Sequence, residues 1–403
     1  MDLVGKPKLI RKINRNIILK FIRAEQVITK SRLYELTNLS KQTINNIVSS
    51  LIKKGLVIEA GYGKSTDEGG KKPLLVKFNP NAYYLVGAMI GLNRIKCGIT
   101  NLNGEILIEK NIKTQRKSSP ENMIKRLIKL VNTIINKSNI NRNKLLGIGI
   151  GMPGVVNFDT GVVNILPLFY KWEKVPLRKI LEKEFKMPII IDNENRMRAV
   201  GEKWFGIAKG IKNFITIITG DGIGVGVVIN NEVVRGRNFI CGEIGHMKLN
   251  VEEPECVCGS RGCFETLINI SSINQSVKEI TSKDNYESSP LFKIYKKNNR
   301  ISFHELFDNF NKGDKLAGFI VEKMIFWFGM GLSNLVCAYD PEIIIIHGEY
   351  LSLNDIFFEK LKEVVYRNVF PKMTKVINIR KSKIGKDIGI MGSSSIVLDT
   401  IEL

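Results

Sequence analysis

The first sixty residues alternate between apolar positions at helical spacing and short polar breaks. The first helix is predicted by Ile13, Ile17, Ile18, Phe21 and Ile22. Residues 31–36 predict a short second helix, which residues 38–40 end. Ser40 is a typical N-cap, and a third helix is predicted by apolar residues on one side: Ile44, Ile47, Val48 and Leu51. The pattern therefore predicts three short helices in sequence.

The opposite face of the third predicted helix is polar. Amide side chains can bond adenine bidentately, and lysine can reach guanine or phosphate. A capped, polar-faced helix after a short turn predicts a helix-turn-helix. The expected DNA contacts on it are Ser40, Lys41, Gln42, Thr43, Asn45 and Asn46. The alternative is a small helical bundle whose polar face is only solvated.

Two short strands are predicted at residues 56–59 and 74–78, around a loop rich in glycine and lysine. Such a hairpin is typical of a wing, whose lysines approach phosphates or the minor groove. The lysines expected to do so are Lys64, Lys71 and Lys72. Residues 1–78 are therefore predicted to form a winged helix-turn-helix that binds operator DNA.

From residue 83 the pattern changes to strands and glycine turns. Strands are predicted at 84–92, 95–100 and 105–109, followed by a helix at 121–136 and a strand at 145–151. A similar set recurs after a helix at 194–204, with strands at 213–218, 224–229 and 232–234. Two βββαβ-like halves predict a two-lobed α/β protein with a ligand cleft between its lobes.

Charge strengthens the DNA-binding prediction. The 403 residues carry 61 Lys+Arg and 39 Asp+Glu, a formal net charge of +22. Residues 1–77 hold 16 basic and 6 acidic residues, which is +10 of that excess. A lysine-rich, AT-rich genome remains an explanation for the rest. No run of eighteen apolar residues is present, so we expect a cytoplasmic protein and no membrane partner.

Three of the six cysteines lie within eight positions. Cys256, Cys258 and Cys263, together with His246, form a closed set of four ligands suited to structural Zn²⁺. Free buried thiols are the alternative. The remaining cysteines are expected to be small buried residues: Cys97, Cys241 and Cys337. His304 and His347 match no ligand pattern and are expected to be ordinary surface or core histidines.

Three segments carry a family resemblance: NENRMRAVGE at 193–202, GEIGH at 242–246 and CVCGSRGCFE at 256–265. With the N-terminal module they resemble the ROK family of repressors and sugar kinases, in particular its xylose and N-acetylglucosamine repressors. The resemblance implies a two-lobed actin-like, ribonuclease-H-like ATPase fold, with lobes at 79–191 plus 381–403 and at 192–380. It implies sugar contacts at Pro153, Gly154, Asn193, Glu194, Glu243, His246 and Glu265.

The residues on the kinase side depart from that family's pattern. Glu194 stands where the kinases have a catalytic aspartate, and residues 89–93 (MIGLN) replace an acidic, glycine-rich phosphate loop. In the second glycine motif Asp221 would repel phosphate unless a cation intervened, and a late Gly-Gly is Gly348-Glu349. These departures predict a cleft that binds a sugar without phosphorylating it.

The sequence therefore predicts a repressor that a monosaccharide releases from operator DNA, acting as a homodimer or higher homo-oligomer on a palindromic site. The glutamate in place of the kinase aspartate resembles the xylose-repressor branch, so xylose is the expected effector. Two alternatives stay open. One is an active ROK sugar kinase with an appended DNA-binding module, and the other is a repressor relieved by a phosphotransferase-system protein.

Overall fold

The computed structural model describes residues 7–63, 72–251, 254–283, 286–370 and 378–401. Lys64 and Lys71 lie outside these residues. Helices within them are α1 Pro7–Glu25, α2 Lys30–Thr37, α3 Lys41–Lys53, α4 Pro120–Lys137, α5 Leu177–Phe185, α6 Glu194–Phe205, α7 Ile270–Lys283, α8 Pro290–Asn298, α9 Phe303–Asn311, α10 Lys315–Tyr339, α11 Asp355–Asn368 and α12 Ile388–Thr400. Strands are β1 Val27–Thr29, β2 Val57–Tyr62, β3 Leu74–Phe78, β4 Tyr84–Ile90, β5 Arg94–Asn101, β6 Ile106–Lys113, β7 Leu145–Met152, β8 Val155–Asn157, β9 Val162–Ile165, β10 Glu173–Val175, β11 Ile189–Asn193, β12 Phe214–Thr219, β13 Ile223–Ile229, β14 Glu232–Val233, β15 Ile343–Gly348 and β16 Ile379–Lys381.

The chain divides into two compact units. The first comprises Met1–Tyr84, Asn101–Glu105 and Ile140–Leu146. The second comprises Leu85–Thr100, Ile106–Asn139 and Gly147–Leu403. Each unit is described on its own below.

The smaller unit holds α1 to α3 and a three-stranded sheet of order β1-β3-β2. Ser40 caps α3 as predicted, because its side chain accepts a hydrogen bond from the backbone N–H of Thr43. The core of the unit includes Ile18, Ile22, Leu33, Ile44, Val48 and Leu51. Ile13 and Ile17, at helical spacing with this set, stay 48% and 37% exposed. They lie on a different face of α1 from Ile18 and Ile22, so spacing alone overstated the buried face.

Two five-stranded sheets dominate the larger unit, with orders β11-β7-β4-β5-β6 and β14-β13-β12-β15-β16. Counted within its own sheet, each set has the order 3-2-1-4-5. The pairs β11–β7, β12–β15 and β15–β16 are parallel, whereas β5–β6 and β12–β13 are antiparallel. The repeated half predicted from the strand pattern is therefore present in the described residues. A small antiparallel sheet, β10-β9-β8, follows β7 and was not predicted.

Two helices from distant parts of the chain cross at glycines. A Cβ at Gly392 in α12 would collide with the carbonyl oxygen of Met197 in α6. A Cβ at Gly201 in α6 would lie 2.6 Å from Ile388 Cδ1. Glycine at these positions lets the two backbones approach closely. The crossing fixes α6, the helix that begins at Glu194.

The second sheet packs on an apolar core centred on Tyr350, whose ring contacts Phe303, Phe307, Phe328 and Phe357. The Tyr350 hydroxyl donates to the carbonyl of Ile268 at 3.0 Å, next to a 3₁₀ turn at Phe264–Leu267. The helix α10 is long and apolar enough for a membrane span by composition, but most of that window is buried inside the protein, as in a core helix. Cys97 is buried as expected, whereas Cys241 is half-buried and Cys337 is exposed, because they lie on a surface loop and near the end of α10.

Candidate ligand and metal site

The site begins where β7 and β11 end side by side. After β7, Gly154 adopts a φ of +82°, which favours glycine, and it follows the half-buried Pro153. Asn193, at the end of β11, donates from Nδ2 to the carbonyl of Gly154 at 3.0 Å. Its Oδ1 accepts from the backbone N–H of Asn195 and so caps α6. The structure thus brings Pro153, Gly154 and Asn193 together.

Glu194, the first residue of α6, is engaged by a cation. Its Oε2 accepts from Arg198 Nη2 at 2.9 Å, one helical turn further on. Arg198 also donates to Asn195 Oδ1 at 3.1 Å. The Glu194 side chain is 22% exposed, so the pair is partly shielded from water. Its carboxylate is therefore held in an ion pair, with its remaining acceptor capacity open to a ligand.

Glu243 and His246 lie on one 3₁₀ turn, and Glu265 approaches it. Glu265 Oε1 is 3.6 Å from His246 Nδ1, and the 3₁₀ turn described above carries Glu265. Desolvation by the surrounding protein raises the pKa of Glu243. The charges of His246 and Arg196 oppose that rise, and those of Glu265 and Glu194 add to it. Glu265 Oε2 also lies 3.2 Å from the position of a Cβ at Gly245, so Glu265 lies beside the turn that carries Glu243 and His246.

A second cluster adjoins this site, at His246, Cys256, Cys258 and Cys263. One ligand atom of each lies within 4.8 Å of the others. Cys256 Sγ lies 3.5 Å from His246 Nδ1, and the sulfurs of Cys258 and Cys263 are 3.6 Å apart. Tetrahedral coordination with Zn–S near 2.3 Å separates ligand atoms by distances of this size. The four residues therefore fit a metal such as zinc.

The loop around this cluster is held by its backbone and by one lysine. Gly262 has a φ of +66°, and a Cβ there would collide with the carbonyl of Asn250. Lys248 Nζ donates a hydrogen bond to Cys263 Sγ at 3.2 Å. Burial raises the pKa of Cys256 to about 12, and the backbone N–H of Ser260 lowers the pKa of Cys258. A bound metal would have to displace the thiol protons.

Sequence reasoning missed a cluster beside the site, formed by Asp192, Arg196 and Arg235. Asp192 accepts from Arg196 Nη1 and from Arg235 Nε, both at 2.8 Å. The side chains of Asp192 and Arg196 are each only 1% exposed. The i,i+4 spacing of Asp192 and Arg196 on a helix start is the signal that could have found the pair. Arg235, 43 residues away from Asp192, has no local signal.

Comparison with known proteins identifies the family. The model of the ROK family matches residues 85–400. The chain belongs to the ROK family. A putative xylose repressor of Caldicellulosiruptor sp. (strain Rt8B.4) is 31% identical over 98% of both chains. A glucokinase of Thermotoga maritima is 29% identical over 79% of this chain and 98% of its own. A crystal structure of a ROK transcriptional regulator, a homologue of the E. coli MLC protein, superposes with a TM-score of 0.82 at 22% identity, covering 97% of this chain and 96% of that one.

Met89 and Glu349 lie in two segments that are expected to have lost a kinase's phosphate-binding residues. Met89 is 5% exposed, and its thioether fills the space beside Gly151, where a Cβ would lie 2.8 Å from it. Glu349 follows Gly348, and its Cγ lies 3.8 Å from the position of a Cβ at Gly220. An open cavity of about 840 Å³ is lined by Asp221, Glu349, Arg300 and His304, among others. None of the seven expected sugar contacts lines this cavity.

Two histidines outside the metal cluster differ in environment. His304 is exposed, and His347 is buried at the end of β15. Among the residues that the structure describes, neither ring nitrogen of His347 has a hydrogen-bond partner, and Nε2 is 3.4 Å from Oε1 of the buried Glu202. Burial, with a smaller effect of Arg198, lowers the pKa of His347 to about 3, so the ring is neutral. Burial raises the pKa of Glu202, which hydrogen bonds from Ser382 and the Ile207 N–H partly offset.

The expected DNA contacts lie in the first 84 residues, which the ROK match does not include. Lys41, Gln42, Asn45 and Asn46 are exposed on α3, and Gln42 Nε2 donates to Asn46 Oδ1 at 3.2 Å. Ser40 and Thr43 bond each other at the cap. Lys72, just before β3, is exposed. The polar face of α3 is thus exposed, although four of these side chains already make local hydrogen bonds.

Proposed function

We propose that this ROK protein is a cytoplasmic repressor that xylose releases from operator DNA. The observation that carries the proposal is the 31% identity to a putative xylose repressor over 98% of both chains. That similarity extends into the first 84 residues, which lie before the matched ROK region. A DNA-binding module in that segment and a sugar site in the rest account for both parts of the chain.

Residues 1–78 act, in this proposal, as a winged helix-turn-helix. The exposed α3 residues enter the major groove: Lys41, Gln42, Asn45 and Asn46. Ser40 and Thr43 cap the helix beside the DNA backbone. Three lysines approach phosphates from the wing: Lys64, Lys71 and Lys72. A homodimer would present two such modules to a palindromic operator. Asn45→Ala should weaken operator binding by about 5- to 150-fold, since a bidentate base contact contributes about 1–3 kcal/mol. Asn122→Ala, an exposed asparagine on α4, is the matched control.

The sugar site joins two lobes, assigned to 79–191 plus 381–403 and to 192–380. Pro153 and Gly154 belong to the first, and Asn193, Glu194, Glu243, His246 and Glu265 to the second. Carboxylates and an amide that accept and donate in one place suit the hydroxyls of a neutral sugar. A phosphorylated sugar would meet three carboxylates, which disfavours it electrostatically.

Zinc in the cluster of His246, Cys256, Cys258 and Cys263 would be structural, because four protein ligands leave no open position. Coordination through Nδ1, the nitrogen facing Cys256, would fix the other nitrogen of His246 as an N–H donor. The metal would thus fix the tautomer of His246, and it would hold in place the loops that carry Glu243 and Glu265. It would take no part in bond making.

The same site is unsuited to phosphoryl transfer. Glu194 Oε2 already accepts a hydrogen bond from Arg198 Nη2 at 2.9 Å, so this oxygen is less available to accept the proton of a sugar hydroxyl. Asp221 and Glu349 add negative charge beside the glycine turns, and Met89 occupies the space near Gly151. These features support binding without turnover.

The test is operator binding by the full chain across a sugar panel. An operator selected from random DNA is titrated with the protein by fluorescence anisotropy, with and without saturating xylose, glucose or N-acetylglucosamine. We expect xylose to weaken operator binding and to raise the melting temperature by mass action. Unchanged operator affinity with every sugar would contradict the proposal.

A ROK sugar kinase with an appended DNA-binding module is the second candidate. It is favoured by the match to 98% of the length of a glucokinase and by the glycine turn at residues 219–226. A coupled assay of ADP release with the same sugars decides between the two. Turnover at ordinary kinase rates, about 1–1000 per second, would replace our first proposal.

A further inference from the structure

One carboxylate at the end of β11 holds two arginines from different parts of the chain. Asp192 Oδ1 accepts from Arg196 Nη1, and Oδ2 accepts from Arg235 Nε, each at 2.8 Å. Asp192 and Arg196 are buried, whereas the Arg235 side chain is 21% exposed. Arg235 is therefore the member of the cluster that faces outward.

The cluster fixes the segment that leads to Glu243. Arg196 Nη2 donates to the carbonyls of Phe239 at 2.6 Å and Cys241 at 3.0 Å. The backbone N–H of Cys241 donates to the carbonyl of Arg235 at 3.3 Å and closes the loop. Both ends of segment 235–241 are thus linked to Asp192, Arg235 directly and Cys241 through Arg196. Cys241 lies two residues before Glu243.

The other face of Arg235 contacts the first half of the larger unit. Its guanidinium carbon lies 3.7 Å from the centroid of the Phe158 ring. Phe158 follows β8, and its carbonyl accepts from Arg178 Nη2 of α5 at 2.6 Å. The strand β8 begins directly after Gly154. Arg235 therefore joins the two segments that carry expected sugar contacts, Gly154 on one side and Glu243 on the other.

The two contacts of Arg235 differ in strength. Its charge-assisted hydrogen bond to the buried Asp192 is costly to break, because the Asp192 carboxylate would then be buried with one cation fewer. A guanidinium over a half-buried aromatic ring is a weaker contact that can open and close without unfolding. Arg235 is therefore held firmly by Asp192, whereas its contact with Phe158 can be released.

We propose that the Arg235–Phe158 contact is a latch that couples occupancy of the sugar site to closure of the β8–β9 hairpin over segment 235–243. Arg235 is a positioning residue here, and the inference rests on the proposed function. A sugar that bonds to the segments of both Gly154 and Glu243 favours the closed hairpin. The Arg235–Phe158 contact favours the same closed state. Opening the latch should therefore weaken sugar binding and the transmission of that binding to the operator.

The experiment measures the ratio of operator Kd with and without saturating xylose, using the full chain. Phe158→Leu and Arg235→Gln should each lower this ratio about threefold to tenfold, the range expected for one cation–π contact. The double variant should lose no more than either single variant, and Phe158→Trp should keep the wild-type ratio. Arg237→Gln, which removes the same charge from an exposed site in the same segment, is the matched control.

A second measurement needs no sugar. Amide hydrogen exchange across residues 155–165 should quicken in Phe158→Leu and Arg235→Gln and stay unchanged in Arg237→Gln and Phe158→Trp. If exchange follows this pattern while no sugar moves the operator, the Arg235–Phe158 contact does hold the β8–β9 hairpin closed, and it is the proposed function, with the coupling to a sugar, that fails. Unchanged exchange in Phe158→Leu, or equal effects of leucine and tryptophan, would overturn the latch. Phe158 variants leave Asp192 with both arginines, so this outcome does not depend on Arg235→Gln folding.

Discussion

Two groups of residues in the larger unit differ in chemistry. The first group holds expected sugar contacts and is polar: Asn193 donates to the carbonyl of Gly154, and His246 Nδ1 lies 3.6 Å from Glu265 Oε1. In the second group Met89 fills the space beside Gly151, and Glu349 brings negative charge near Gly220. In our proposal the first group binds a neutral sugar, whereas the second group lacks what a nucleotide phosphate needs. A kinase-like body would then have kept recognition of the sugar after giving up phosphoryl transfer.

The metal cluster should show the largest effect. Cys263→Ser removes one of four ligands, and we expect the protein to lose its bound metal and its sugar response. Structural zinc sites contribute on the order of 10 kcal/mol of binding free energy to the folded state. Metal content by mass spectrometry and unfolding by denaturant measure the change. Cys337→Ser, an exposed cysteine outside the cluster, is the control. A variant that kept one equivalent of zinc would contradict the four-ligand site.

The arginine cluster should give the next largest effect. Arg196→Met leaves Asp192 buried with one cation fewer, and removing one partner of a buried ion pair costs about 3–5 kcal/mol. The matched control is Arg367→Met, which breaks an exposed i,i+4 pair with Glu363 and should cost less than about 1 kcal/mol. Urea unfolding of both variants measures the difference. Equal losses of unfolding free energy in the two variants would show that the buried Asp192–Arg196 pair stabilises the fold no more than an exposed pair does.

A smaller effect is expected from pH. The pKa of His347 is lowered to about 3 in the folded state, against about 6.5 unfolded. Its contribution is present above pH 6.5 and is lost as pH falls toward 3, because the unfolded chain binds the proton more readily. At pH 5 the loss is about 2 kcal/mol. The raised pKa of Glu202 acts in the opposite direction, since the folded protein holds that proton longer.

His347→Gln isolates the histidine from its carboxylate neighbour. The variant should lose less stability than wild type between pH 7 and pH 5, as followed by urea midpoints at each pH. His304→Gln, at an exposed histidine, should follow the wild-type curve. Parallel curves for wild type and His347→Gln would show that His347 is not kept neutral by burial.

The smallest expected effect concerns catalysis. Glu194→Asp restores the kinase residue type but leaves Met89, Asp221 and Glu349 in place. We expect ADP release with ATP and sugar to stay at background, because those three residues, which disfavour a bound phosphate in our proposal, are unchanged. Measurable turnover in this variant alone would show that the single methylene, and not the phosphate side, separates this chain from the kinases.

The sequence predicted the features whose partners are local. The cap at Ser40, the three helices and the ligand set from His246 to Cys263 all lie within short spans, so their spacing carries the geometry. The repeated set of strands also followed from the alternation of strands and glycine turns, whereas the order of the strands within each sheet was not predicted.

Other features could not be predicted because they depend on distant contacts. Arg235 meets Asp192 across 43 residues, and Phe158 belongs to a hairpin with three- and four-residue strands, too short to stand out. The two exposed isoleucines of α1 fit helical spacing but face away from the core. Cys337 is exposed because α10 turns that position outward, which composition does not reveal.

One measurement tests the central claim most directly. Full-length protein bound to a fluorescent operator is titrated with xylose in the presence of ATP, and anisotropy and ADP are followed in the same sample. The account predicts release of the operator at saturating xylose with no ADP formed above background. Steady ADP production, or an operator that stays bound at every xylose concentration, would contradict it.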